Sequence, residues 1–125
     1  MIPKFRVWDK KEKKMCNVAA IWFSSDSIIL ERGVFVYERK LDEVELMQAT
    51  GVRSIYDDGI AEIYEGDVVK TKSSPDGRFI GCVGNAVSRF EVRGVKQYGG
   101  WKDDLNGSYV VIGNEFQNPE LLEDN

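Results

Sequence analysis

The sequence contains no histidine, and this absence removes several classes of active site. Histidine is the usual general base near neutral pH, a common metal ligand and a member of the familiar nucleophile triads. Catalysis by lysine or carboxylate groups stays formally open, because both kinds of residue are plentiful. We therefore expect a protein that is not an enzyme and that holds no cofactor.

Cysteine is scarce as well, and no hydrophobic run is long. Cys16 and Cys82 form no CxxC pair, so neither a zinc site nor a disulfide framework is predicted, and we expect two buried thiols. No apolar run approaches the roughly 20 residues that cross a bilayer. The first 14 residues carry charge where a signal peptide would be apolar. We expect a cytoplasmic protein with no membrane contact.

What the sequence does contain is typical of one folded, strand-rich domain over residues 1–125. Apolar residues make up 42% and charged residues 30%, close to the soluble average. Short alternating or β-branched runs predict strands at 5–8, 15–23, 28–30, 34–37, 68–71, 78–83, 88–95 and 109–112. The fold class is mainly β with minor α: a partly open small barrel or rolled antiparallel sheet, SH3-like by analogy.

Four further local predictions depend on turn and helix signals. A partial 3.6-residue stripe favours a helix over 41–48, and turn formers over 49–62 are expected to interrupt regular structure. The pair Asn106–Gly107 predicts a hairpin turn. Asn118 followed by Pro119 predicts a short C-terminal helix, because proline at the first helical position loses no hydrogen bond.

Charge is segregated along the chain. The net charge of -4 divides into +4 over 1–14, -7 over 15–69, +5 over 70–102 and -6 over 103–125. Basic and aromatic residues of the third block form a candidate surface for nucleic acid or another partner: Lys70, Lys72, Arg78, Arg89, Arg93, Lys96 and Trp101. The alternative is that these are ordinary exposed strand residues that pair with the acidic blocks, which the pI near 4.9 favours.

A second candidate is the segment Tyr64, Glu65, Gly66, Asp67. Glycine here allows a positive φ and Asp67 can accept backbone N–H groups, so we interpret it as a structural turn. The less favoured alternative places Glu65 and Asp67 with Asp57 or Asp58 around Mg²⁺, as in a metal-dependent nuclease.

Four segments of the chain resemble a known family, the YopX-type proteins of bacteriophages and prophages. They are residues 4–9 (KFRVWD), 47–51 (MQATG), 63–69 (IYEGDVV) and 112–122 (IGNEFQNPELL). The resemblance spans nearly the whole chain; the family usually has an aromatic residue in place of Ala49, and 52–61 departs from its usual turn. It implies a phage or prophage origin and a mainly β fold, and it brings no activity or catalytic residues.

The function predicted from these observations is binding without catalysis. We expect a phage or prophage accessory protein that forms homo-oligomers and binds a host or phage protein, because its aromatic share exceeds what one small core needs. The alternative is a nucleic-acid-binding module that uses the basic 70–102 segment.

Overall fold

A computed structural model describes residues 4–54, 62–71, 80–86, 89–96 and 99–123. The chain divides into two compact units, Met1–Gln48 and Ala49–Asn125. Strand β5 runs across the division. Its first half pairs with β1, and its second half pairs with β6.

Eleven strands lie in the described ranges, and all their pairings are antiparallel. The first five are β1 Phe5–Asp9, β2 Lys14–Trp22, β3 Ser27–Arg32, β4 Phe35–Lys40 and β5 Val44–Arg53. The next six are β6 Glu62–Tyr64, β7 Asp67–Thr71, β8 Ile80–Ala86, β9 Arg89–Gly94, β10 Lys102–Asp104 and β11 Tyr109–Asn114. Two short 3-10 helices, Leu41–Glu43 and Pro119–Glu123, complete the described structure.

In the first unit the strands follow the order β4-β3-β2-β1-β5. Side chains alternate between the two faces of a strand, and one face of this sheet carries the apolar core of the unit. Its buried members are Val7, Cys16, Ile28, Leu30 and Val44. These members lie on β1, β2, β3 and β5, and the half-buried Tyr37 of β4 packs against them.

This sheet is strongly curled. Two strands, β2 and β3, separate β1 from β4. In a flat sheet β1 and β4 would lie about 14 Å apart, from a spacing of ~4.8 Å per strand. Yet the Tyr37 hydroxyl on β4 lies 2.8 Å from Oδ2 of Asp9 on β1. The sheet must therefore roll so that side chains of non-neighbouring strands meet on its inner face.

The second unit is built on a sheet of order β10-β9-β8-β7-β11. Its core contains Ile63, Val69, Val83, Val92 and Tyr109. Gly81 on β8 stands where this packing is tightest, because an added Cβ would lie 2.8 Å from the carbonyl oxygen of Arg93. The absence of a side chain at Gly81 is thus what allows β8 and β9 to approach each other.

At the end of β11 the chain turns back on itself. Asn114 accepts hydrogen bonds at Oδ1 from the backbone N–H groups of Phe116 and Gln117, at 3.1 and 2.8 Å. Gly113 lies at a register shift in β11, and an added Cβ there would lie 2.9 Å from Cδ1 of Leu121. Leu121 of the C-terminal 3-10 helix therefore packs against the backbone of Gly113, where no side chain intervenes.

The prediction of a mainly β chain is confirmed, and so are the positions of most strands. The helix predicted over 41–48 is wrong, because only Leu41–Glu43 form a helical turn and Val44 begins β5. The strand pairing of residues 44–48 with β1 stabilises this segment more than a helix based on its partial apolar stripe would. The interruption predicted over 49–62 is also wrong at its start, since β5 continues to Arg53 with an irregularity at the positive-φ residue Gly51.

The Asn106–Gly107 hairpin is wrong as well. The strands on either side of it are not neighbours, because β10 pairs with β9 and β11 pairs with β7. Asn106 instead accepts the backbone N–H of Ser108 at Oδ1, in a local turn. The predicted C-terminal helix begins at Pro119 but is a five-residue 3-10 helix. The described strands form no closed barrel, and their order does not confirm an SH3-like arrangement.

Candidate functional site

The most unusual surface of the first unit is the edge strand β4 with the turn before it. Val34, Phe35 and Val36 are 92%, 63% and 65% exposed. Among the described strands β4 pairs only with β3, so its outer backbone N–H and C=O groups have no strand partner. An exposed apolar edge of this kind is a template for pairing with another strand. We call Val34, Phe35 and Val36 together with β4 the β4 edge.

The described sheet of the second unit has β10 and β11 at its edges. Of these two strands, β10 consists of Lys102, Asp103 and Asp104, all exposed. Charged edge strands discourage unwanted strand pairing, because an added strand would have to desolvate the charges. The apolar half of β4 carries no such protection, and the charges of that strand come only after Tyr37.

Beneath the β4 edge lies a buried polar network centred on Asp9. This carboxylate is fully buried and accepts three hydrogen bonds. The donors are the Tyr37 hydroxyl at 2.8 Å, the Lys11 backbone N–H at 3.0 Å and Nε of Arg39 at 3.2 Å. A buried carboxylate needs such partners to offset its lost hydration. The network therefore ties the outermost strand β4 to β1 across the inner face of the sheet.

Two further contacts extend the network. Sγ of Cys16 lies 3.4 Å from the Tyr37 oxygen. Because the Tyr37 proton is directed to Asp9, the thiol is the donor in this contact. The Arg39 guanidinium stacks over the Tyr37 ring, 4.6 Å from its centroid, and Nη2 lies 3.7 Å from Oε1 of Glu12.

The network shifts the titration of its members. Burial alone would raise the pKa of Asp9, but hydrogen bonds from Tyr37, the Lys11 backbone and Arg39 outweigh it and lower that pKa below its ordinary value. Burial, together with the contacts to Cys16 and Asp9, raises the pKa of Tyr37 above its ordinary value. Asp9 stays ionised and Tyr37 stays protonated near neutral pH.

A shallow cavity adjoins the β4 edge on the face that carries Tyr37 and Arg39. Its volume is about 360 Å³, and it is lined by Glu12, Arg32, Phe35, Tyr37 and Arg39. The lining mixes two aromatic rings with three charged groups. Two of the charged groups are paired, because Arg39 contacts both Asp9 and Glu12.

Two more exposed aromatic residues lie at the other end of β4. Trp22 closes β2, and Phe23 begins the turn to β3. Trp22 stands opposite Ser27, which in turn stands opposite Lys40 at the end of β4. These residues are thus separated along the strand from Phe35 and Val36, and they form a separate exposed patch.

The basic segment of the second unit is only partly described, since Lys72 and Arg78 lie outside the described residues. Arg89 and Arg93 share a face of β9, with the buried Glu91 between them. Nε of Arg93 lies 2.6 Å from Oε1 of Glu91, and Nε of Arg89 lies 2.8 Å from Oδ1 of Asp104. The hydrogen bond from Arg93 lowers the pKa of Glu91. Carboxylates therefore engage both arginines.

The other members of this segment are dispersed. Lys70 is half-buried on β7 and Lys96 is exposed after β9. Trp101 packs against the core of the second unit, with its ring centroid 6.4 Å from that of Tyr109.

The segment Tyr64–Asp67 connects β6 to β7. Gly66 has a φ of 89°, and Oδ2 of the buried Asp67 accepts the Tyr64 N–H at 2.8 Å. The Gly66 N–H also donates to the carbonyl of Val83 at 2.9 Å. This is the geometry of a structural turn. Asp57 and Asp58 lie outside the described residues, and the ranges that are described hold no group of three acidic or sulfur side chains suited to a metal ion.

Both cysteines are free thiols. Cys16 is buried in the first unit, and Cys82 is half-buried on β8, where Sγ donates to Oε2 of Glu115 at 3.1 Å. Burial, reinforced by this carboxylate, raises the pKa of Cys82, which makes the thiol a poor nucleophile. In the part of the chain that the structure describes, no helix has the length and apolarity needed to cross a membrane.

The sequence did not point to the β4 edge or to the network beneath it. Asp9 precedes a cluster of lysines and resembles an ordinary turn residue. Its burial depends on Tyr37 and Arg39, which follow it by 28 and 30 positions. The one available signal was the run Val34, Phe35, Val36, which lacks a charge at any alternate position.

These features define a class of protein: a mainly β chain with two antiparallel sheets, one rolled over a buried carboxylate and left with an apolar edge. Comparison with known proteins identifies the family. The sequence profile of the YopX protein family matches residues 4–123, so the chain belongs to the YopX family.

Two solved structures resemble it over nearly their whole length. The crystal structure of protein EF1440 from Enterococcus faecalis is 26% identical, with a TM-score of 0.63, and the match covers 98% of this chain and 99% of that one. The crystal structure of protein YopX from Bacillus subtilis is 24% identical, with a TM-score of 0.61, covers 94% and 96%, and shows a shared fold. A search of curated proteins finds no match.

Proposed function

We propose that this chain is a non-enzymatic binding module that acts through protein–protein contact, self-association included. The observation that carries the proposal is the β4 edge, where a strand that pairs on one side only among the described strands exposes Phe35 and Val36 to solvent. Burying such a side chain contributes roughly 1.5–3 kcal/mol. Main-chain hydrogen bonds to an added strand would supply further affinity and direction.

The setting proposed for this activity is the bacterial cytoplasm, as a phage or prophage accessory protein with a host or phage protein as partner. Membership of the YopX family supports that setting, and the two similar structures are bacterial. The absence of histidine supports binding rather than catalysis, because it removes the commonest acid–base group.

The alternative is nucleic-acid binding by the basic segment 70–102. That function needs Arg89 and Arg93 to contact phosphates, and contact of either one would cost an existing pair with Asp104 or Glu91. The β4 edge loses no comparable contact when it is covered. We therefore favour the protein interface.

The test is an affinity capture of the tagged full-length chain from bacterial cells, washed at low and high salt, with protein and nucleic acid both identified. Wild type is compared with Phe35→Ser on the β4 edge and with Phe23→Ser, a matched exposed aromatic residue off that strand. We expect protein, either a second copy or another chain, that survives high salt and is lost only in Phe35→Ser. If Phe35→Ser captures the same protein as wild type, the proposal is refuted. If the captured species is nucleic acid that high salt removes and that Arg89→Glu no longer captures, the alternative is established.

A further inference from the structure

We propose that the occupant of the β4 edge is the β4 edge of a second copy, paired antiparallel about a two-fold axis with Val36 opposite Val36. This inference rests on the proposed function and names the partner for the same surface. The two sheets would then continue into each other through main-chain hydrogen bonds between the copies.

Symmetry limits the ways in which two β4 strands can pair. Residues directly opposite each other point to the same side of an antiparallel sheet. A two-fold axis perpendicular to the sheet also preserves the side to which each residue points. The numbers of two residues that stand opposite each other must therefore differ by an even amount. As a result, one residue of β4 stands opposite the same residue of the second copy. If three consecutive pairs are to form within β4, that residue is Val36, Tyr37, Glu38 or Arg39.

The chemistry of the strand separates these four registers. With Glu38 or Arg39 at the centre, two like charges face each other, which is destabilising. With Tyr37 at the centre, Val36 faces Glu38 on both sides of the axis. With Val36 at the centre, Phe35 faces Tyr37 on both sides, so three consecutive pairs are apolar. Register follows the pairing that buries apolar side chains together, and this favours Val36.

The cavity beside β4 fits the same register. Phe35 and Tyr37 point to the same face of the strand and line the space of about 360 Å³. Phe35 of the second copy would stand opposite Tyr37 on that face, over the cavity. Each copy would receive one phenyl ring and give one, which makes the contact self-complementary.

The contrast between β4 and the charged edge strand β10 supports a second copy as the occupant. A second copy of β10 would place Lys102, Asp103 and Asp104 against the same charged set. The apolar stretch of β4 instead ends at Tyr37, and its length matches the three pairs formed in the Val36-centred register.

Sedimentation of the full chain over a concentration series tests the association. We expect wild type to double its mass from 14.2 kDa as the concentration rises. Val36→Lys should raise the dissociation constant about tenfold or more, because two ammonium groups would face each other. Phe23→Lys, the matched control off the strand, should leave it unchanged. Circular dichroism checks that Val36→Lys remains folded, as expected for a side chain that is largely exposed.

Cysteine cross-linking tests the register. Val36→Cys should form a disulfide-linked dimer under mild oxidation, because directly opposite Cβ atoms approach disulfide distance. Glu38→Cys should not, and wild type with Cys16 and Cys82 sets the background. A wild-type chain that stays monomeric at high concentration overturns the inference, as does faster cross-linking through Glu38→Cys. A monomer that still captures another protein through Phe35 would overturn only this inference and leave the proposed function standing.

Discussion

Replacing Asp9 by alanine is the sharpest test of the network beneath β4. The change removes the acceptor of three hydrogen bonds, from the Lys11 backbone, Tyr37 and Arg39. Hydrogen bonds to a charged group contribute about 1.5–3 kcal/mol each and do not add fully. Breaking a buried ion pair by removing one partner costs about 3–5 kcal/mol. Because Arg39 keeps its contact with Glu12, we expect a loss near the lower end, about 3 kcal/mol.

Urea unfolding of the full chain measures this loss. With a slope of about 1–3 kcal/mol per molar urea, the midpoint should fall by roughly 1–3 M. Hydrogen exchange read by mass spectrometry should place the change in β1 and β4, with β8 and β9 much less affected. Asp9→Asn, which keeps a carbonyl acceptor of the same size, should lose less. A loss below about 1 kcal/mol for Asp9→Ala would refute the reasoning.

The same network predicts a pH dependence. The pKa of Asp9 is lower in the folded chain than its ordinary value of 3.8, so the unfolded state binds a proton first as the pH falls. The stability that ionised Asp9 contributes is fully present when the pH lies above that ordinary pKa. It is lost as the pH falls through the pKa of Asp9 in the folded chain. The difference in unfolding free energy between wild type and Asp9→Asn should therefore narrow below about pH 4.

Three further predictions concern the second unit. Gly81→Ala should destabilise by about 1–3 kcal/mol in urea unfolding, because the methyl group meets β9, whereas Gly99→Ala should change little. Asn114→Ala should cost about 1–3 kcal/mol by orphaning two backbone N–H groups, and Asn114→Asp, which keeps the acceptor, should recover part of it. Burial and Asp103 raise the pKa of Tyr109, so stability should decline above about pH 10, and less steeply in Tyr109→Phe; an unchanged slope would contradict the assignment.

The strands could be predicted from the sequence where alternation and turn residues agree. Gly33, with a φ of 62°, separates β3 from β4 as its residue type suggests. The helix predicted over 41–48 is wrong because the apolar positions of this segment fit a helical stripe and a strand almost equally. What decides between them is β1, whose Val7 stands opposite Leu46, and a pattern read along the chain does not contain that partner.

The candidate site was harder to predict for a related reason. Exposure of Phe35 and Val36 follows from the position of β4 at the end of a strand order, and local sequence does not determine that order. The basic residues of β9 were visible in the sequence, but their carboxylate partners were not. Asp104 reaches Arg89 only because β10 pairs with β9, which the Asn106–Gly107 signal obscured.

The close approach at Gly113 has a consequence for the evolution of the family. A side chain at position 113 would require Asn118 and Leu121 to move, because its Cβ would contact both residues. Positions 113 and 118 should therefore vary together in relatives: chains that lose the glycine should also lose the asparagine or displace the C-terminal segment. Within the motif IGNEFQNPELL, this contact links the first turn of the C-terminal helix to the end of β11.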